Sequence, residues 1–207
     1  MAEVVYQDDW LMVLDKPAGL LTIPTPKKET RTLVNILNDR LKTQGVSYRL
    51  HPCHRLDRQT SGLIIFAKGK SPQKEMMEAF RRREVKKTYL AFVQGSPKLE
   101  ASAIKQRIGG QSAVTEYKVK ERRSNFTVVE VHPLTGRTNQ IRIHFKSIGN
   151  PVVGEDKYAF RKDFTLKANR LCLHAAELEF KHPVTKEKLR LVSPMPAYLK
   201  EFLIKHA

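Results

Sequence analysis

Cysteine is scarce in this chain: Cys53 and Cys172 are the only two in 207 residues. Neither sits in a CxxC spacing or beside a set of metal ligands, so a disulfide framework and a structural zinc site are both excluded as organising devices, and a reducing, cytoplasmic compartment is expected. Long apolar runs are missing too. No eighteen consecutive apolar residues occur, and the opening MAEVVYQDDW lacks the basic-then-apolar pattern of an export signal, so no membrane partner is expected. There are no low-complexity tracts or repeats of the kind that build solenoids. Acidic residues are the remaining shortage, with 21 against 38 Lys and Arg for a formal net charge of +17. That imbalance is the footprint of a polyanion binder, with nucleic acid the first candidate. The hydrophobic fraction of 41% is ordinary for a globular protein. The length suits one domain, 1–207, with a sizeable core.

The chemistry is concentrated in HPCHRLDRQTSGLIIFAKGK, residues 51–70. His54, Arg55, Asp57 and Arg58 form a charged, loop-like run, and Thr60-Ser61-Gly62 leads from it into the apolar strand Leu63–Ala67. Asp57 has three cationic or potentially cationic neighbours within three residues, which favours its carboxylate form, the form a nucleophile or general base needs. Gly62 permits a sharp backbone turn.

Elsewhere, Val4–Tyr6 and Trp10–Leu14 read as a hairpin, followed by the turn Lys16-Pro17-Ala18-Gly19, to which no chemistry is assigned. Leu33, Ile36, Leu37 and Leu41 recur at helical spacing behind Thr30 or Thr32 as N-cap. Ser71-Pro72 reads as the start of a second helix with Met76, Met77 and Phe80 on its apolar face. Arg81, Arg82, Arg83, Lys86 and Lys87 then place five cations in seven residues, a candidate contact for a nucleic-acid backbone. Tyr89 lies in the strand-like Thr88–Val93. Residues 101–131 read as three strands, the middle one alternating Ala113, Thr115, Tyr117 and Val119 against Val114, Glu116, Lys118 and Lys120, the period of a half-buried strand in an antiparallel sheet.

In His132–His144, Thr138 is expected to cap a helix with Ile141, Phe145 and Ile148 as its buried stripe, and Arg142 in its first turns. Gly136-Arg137 ahead of such a helix start suits a phosphate or carboxylate. Two strands around His182-Pro183-Val184-Thr185 and a helix bearing Tyr198, Leu199 and Phe202 close the chain.

The pattern His54-Arg55-Leu56-Asp57-x-x-Thr60-Ser61-Gly62-Leu63 resembles the catalytic signature of the RluA family of RNA pseudouridine synthases. Lys16-Pro17-x-Gly19, Lys87-x-Tyr89-Leu90-Ala91, the 132–144 block, Leu173-His174-Ala175 and His182-Pro183-x-Thr185 resemble further family blocks, in family order. The resemblance implies an α/β (α+β) fold with a mixed, mainly antiparallel sheet and flanking helices around a basic cleft. It implies Asp57 as catalytic aspartate, Arg142 as its pairing arginine, Tyr89 against the target base, and no metal or organic cofactor. Arg55, His54, Lys87, Arg137, Thr138 and Gln140 are the expected substrate contacts. The partner implied is structured RNA, tRNA or rRNA, bound by a monomer without an obligate protein partner or an S4-type domain. One departure stands out: the family usually has histidine where this chain has Asn139, and a structural role is expected there. Two other classes are weighed against this reading. A catalytically silent RNA-binding or assembly factor would not need Asp57, Tyr89 and Arg142 intact, and a glycoside hydrolase would want a second carboxylate, which the signature blocks lack.

Overall fold

The computed structural model describes residues 2–159, 166 and 168–206. The fold is α+β, with a mixed, mainly antiparallel sheet and helices packed beside its strands. The described residues group into two compact units, 1–85 with 177–193 and 86–176 with 194–207.

In the first unit, strands β1 (Glu3–Gln7) and β2 (Leu11–Lys16) form the expected hairpin. Asp8 closes it by accepting from the backbone N–H groups of Trp10 and Leu11. Helix α1 (Leu33–Thr43) starts at Thr32, whose hydroxyl accepts from Asn35 N–H, as its residue type predicts. Strand β3 (Leu50–Pro52) and β2 flank strand β4 (Ser61–Lys68), both antiparallel to it. Leu63 to Ala67 of β4 are completely buried. A run without alternation is what a strand covered on both faces requires.

Helix α2 (Lys70–Arg81) begins two residues earlier than Ser71 as cap and Pro72 as first-turn residue suggest. Gly69, at φ +125°, turns the chain directly out of β4, so it caps the helix and Pro72 falls inside the first turn. Pro72 costs nothing there, because first-turn N–H groups have no intrahelical partner. Met76 is buried, but Met77 is 45% exposed: one helical step of about 100° carries it off the narrow stripe that Met76 shares with Phe80. The core of this unit is Leu11, Val13, Leu63, Ile65, Met76, Leu178 and Phe180.

In the second unit, β5 (Lys86–Gln94), β6 (Ala101–Lys105), β7 (Val114–Arg122) and β8 (Phe126–Pro133) pair antiparallel as β5–β8, β8–β7 and β7–β6. Thr115 and Tyr117 point inward as the alternation predicts. Helix α3 (Gln140–Ser147) packs Ile141 and Phe145 onto Val129, Val131 and Val152. Its start is one residue later than expected. Asn139, in the left-handed region at φ 55°, occupies the cap position, while Thr138 is exposed, and the helix ends before Ile148, which is 39% exposed. Strand β9 (Leu173–Lys181) contributes its first residues to this unit and, from Glu177, pairs with β10 (Lys188–Val192) in the first. Helix α4 (Ala197–Lys205) buries Leu199 and Phe202 against Phe92 and Phe126.

Candidate active site

The predicted residues fall into two groups, one within each unit. In the first unit, Asp57 lies half-buried in the loop between β3 and β4, with Arg55 exposed beside it. The loop is pinned on both sides of Asp57. The buried Thr22 hydroxyl donates to Leu56 O (3.0 Å) and accepts from Leu56 N–H (3.2 Å). On the other side, Arg58 O accepts from Gly19 N–H at 2.7 Å and from Lys16 Nζ at 3.3 Å, and Thr60 N–H donates to Asp57 O to close a turn. Backbone bonds on both flanks are what hold a catalytic side chain within the small tolerance chemistry allows.

Lys16 has more weight than the turn reading gave it. Its side chain is fully buried, and its ammonium donates to Pro17 O (2.9 Å), Leu20 O (2.8 Å) and Arg58 O. Burial pushes its pKa down to about 8, while the charges of Asp57 and Asp15 push it back up. At neutral pH a cation therefore sits within electrostatic reach of Asp57. Nothing in the strand LMVLDK announces this, since a lysine ending an apolar strand is normally exposed.

His54 is largely committed to the scaffold. Its Nε2 accepts from Ile65 N–H at 3.0 Å and its ring lies against Phe80, so it anchors the loop to β4. Cys53 is buried in apolar surroundings that push its thiol up to about 12, which makes it inert as a nucleophile.

In the second unit, Arg142 is buried in the first turn of α3. Glu155 grips it fork to fork, Nε to Oε2 and Nη2 to Oε1, both at 2.6 Å. Nη2 also donates to Asp156 at 3.0 Å, and Nη1 to Asn139 Oδ1 at 3.3 Å. Asn139 uses both ends of its amide, since its Nδ2 donates to the Tyr158 hydroxyl at 2.7 Å. The Arg142 guanidinium also lies over the Tyr158 ring, 5.4 Å from its centroid. Sequence reasoning missed Glu155 and Tyr158 because they sit more than a dozen residues beyond Arg142 in no recognisable local pattern.

Gln140, expected at the substrate, is instead spent on the turn before α3. Its oxygen accepts from the Thr135 hydroxyl (2.6 Å) and Arg137 N–H (3.0 Å), and its nitrogen donates to Val114 O and the Thr115 hydroxyl. With both lone-pair positions and both N–H bonds used, the amide has no capacity left for a ligand. The Arg137 side chain donates to Ser112 O from a half-buried position. Lys87 reaches Thr135 O at 3.4 Å, and burial pushes its pKa down to about 8. Tyr89, opposite Val131 on β5, packs its partly buried ring on the Ala91–Val129 core. Among the described residues, no three His, Cys, Asp or Glu side chains gather as a metal-ligand set.

Comparison with known proteins identifies the family. The family described as RNA pseudouridylate synthase matches residues 10–147. The dual-specificity RNA pseudouridine synthase RluA of Pasteurella multocida is 36% identical over 95% of this chain and 94% of its own. The uncharacterized RNA pseudouridine synthase YlyB of Bacillus subtilis is 34% identical over 97% of this chain and 71% of its own. Among solved structures, human RNA pseudouridylate synthase domain containing 4 superposes with a TM-score of 0.83 at 25% identity, covering 98% of this chain and 92% of its own. The chain belongs to the RNA pseudouridine synthases and, within them, to the RluA family. It is an isomerase that converts uridine in RNA to pseudouridine.

Proposed function

We propose that residues 1–207 together form a catalytic domain that isomerises uridines in structured RNA, tRNA or rRNA, with Asp57 as the catalytic carboxylate. The reaction breaks the N1–C1′ bond, lets the uracil turn, and joins C5 to C1′, with the C5 proton leaving and N1 gaining one. A carboxylate serves this by attacking C1′, by adding to ring C6, or by assisting deprotonation at C2′. The target nucleotide leaves its stack to be reached, and exposed Arg55 either fills the space or holds a neighbouring phosphate. Arg142 orients Asp57 and keeps it ionised, and Tyr89 lies against the base. Lys87, Arg137 and Thr138 are the remaining substrate contacts. Metal and organic cofactor have no assigned step. The protein acts as a cytoplasmic monomer.

The observation that carries this reading is the pinning of Asp57 on both flanks, Leu56 by Thr22 and Arg58 by Gly19 and Lys16. Chemical mapping of pseudouridine in cellular RNA, with and without the protein, tests it. A tRNA or rRNA position should lose its modification and regain it with the wild-type chain but not with Asp57→Asn. Restoration by Asp57→Asn, or an unchanged map, would overturn the proposal.

A further inference from the structure

Glu155 is a buried charged group that the roles above leave unused. Its side chain is 0% exposed. Besides gripping Arg142, its Oε1 accepts from the backbone N–H groups of Lys157 (2.8 Å) and Tyr158 (3.1 Å). Burial alone would raise its carboxyl pKa, but the bonds from Arg142 and these two N–H groups outweigh that and hold it below the ordinary value. The backbone is shaped to put it there. Gly154 has φ +80°, and a Cβ at that position would run into the carbonyl of Arg170.

A buried ion pair is a poor device for stability, because desolvating both charges consumes most of what their attraction returns. It is a good device for fixing a planar cation. Held at Nε and Nη2 by one carboxylate, a guanidinium cannot swivel about its last torsions, so the direction of its Nη1 edge is set. By contrast, the pairs Arg190–Glu177 and Lys188–Glu179 have cations 67% and 69% exposed, and solvent-screened pairs of that kind impose no such constraint.

We propose that Glu155 is a positioning residue for the isomerisation: it fixes the plane of the Arg142 guanidinium, and through it the orientation in which Arg142 acts. The inference rests on the role given to Arg142 under the proposed function. Asp156, 71% exposed, contributes a solvent-screened contact that this role does not require.

The test is single-turnover release of tritium from C5-labelled uridine, in transcripts of tRNAs and large-subunit rRNA, with enzyme in saturating excess. Under those conditions the rate constant does not depend on the fraction of correctly folded enzyme so long as that fraction stays in saturating excess, whereas a misoriented group lowers it. Glu155→Asp keeps the charge but withdraws the carboxylate by one methylene. It should slow the rate constant at least tenfold with RNA affinity changed less than threefold, and Asp156→Asn should stay within twofold of wild type. Arg142→Ala combined with Glu155→Gln, which buries no unpaired charge, should be no slower than Arg142→Ala alone. A wild-type rate constant in Glu155→Asp would overturn the inference while leaving the function intact. A wild-type rate constant in Arg142→Ala would remove the role of Arg142, and that of Glu155 with it. No release by the wild-type chain on either RNA would overturn the functional reading itself.

Discussion

Replacing Lys16 by methionine isolates the energetics of the buried ammonium beneath the Asp57 loop. Its pKa is lowered by burial from 10.5 to about 8. In the window between those values the unfolded chain holds a proton that the folded chain has released, so the lysine's contribution to stability rises with pH. At about 1.36 kcal/mol per unit, the full excursion is about 3 kcal/mol, of which about 2 kcal/mol falls between pH 7 and pH 9.5. Lys16→Met lacks this gain. It also leaves three carbonyls, those of Pro17, Leu20 and Arg58, without their donor, a loss of about 1–3 kcal/mol per buried unsatisfied group. The variant should therefore be less stable throughout, and its deficit relative to wild type should widen by about 2 kcal/mol from pH 7 to pH 9.5. Urea unfolding followed through Trp10, the one tryptophan of the chain and part of the same unit, reads this directly. A deficit that stays constant across the two pH values would refute a buried, titrating ammonium at this position.

Two further predictions concern the departure at position 139 and the basic run. Asn139→His should change turnover less than about threefold and add no limb near pH 6.5 to the pH–rate profile, because an imidazole can reproduce both amide bonds only when neutral and the adjacent Arg142 cation opposes its protonation. A large gain in rate or a new limb would show that a protonatable group matters there. Arg81 and Arg82 already pair with Glu78 on the exposed end of α2, but such surface pairs are weak enough for RNA phosphates to displace. The triple Arg81/Arg82/Arg83→Ala variant should lower the salt-dependence slope of RNA binding by about 0.7–0.9 per phosphate contact removed, and an unchanged slope would take the cluster out of the interface.

The sequence was most legible where local chemistry and periodicity agree. The unbroken apolar run 63–67 read as a strand and is one, buried throughout, and of the two threonines offered as cap for α1 it is Thr32 that caps it. The charged turn ahead of β4 was equally readable, since cations around a carboxylate and a small-residue exit are local features. What was not legible depends on contacts distant in the chain or on backbone geometry. Glu155 meets Arg142 through a loop whose course is set by Gly154, and Lys16 is buried because the carbonyl of Arg58, 42 residues away, folds over it. Thr138 has the composition of a cap, yet the left-handed conformation of Asn139 moves the helix start. Gln140 lies amid residues with site chemistry, but its amide is consumed by the turn that presents them. The division into two units near Val85 leaves no compositional trace, because it falls inside the basic run.

The assignment of Asp57 is tested most directly by measuring RNA binding and single-turnover tritium release side by side for wild type and Asp57→Asn. The variant is nearly isosteric and removes a negative charge from the site of a polyanion. It should therefore bind RNA at least as tightly as wild type while releasing no tritium from C5-labelled uridine, even though tritium release by the wild type goes to completion. Substantial release by Asp57→Asn would contradict the assignment of this carboxylate, and with it the mechanism built on it.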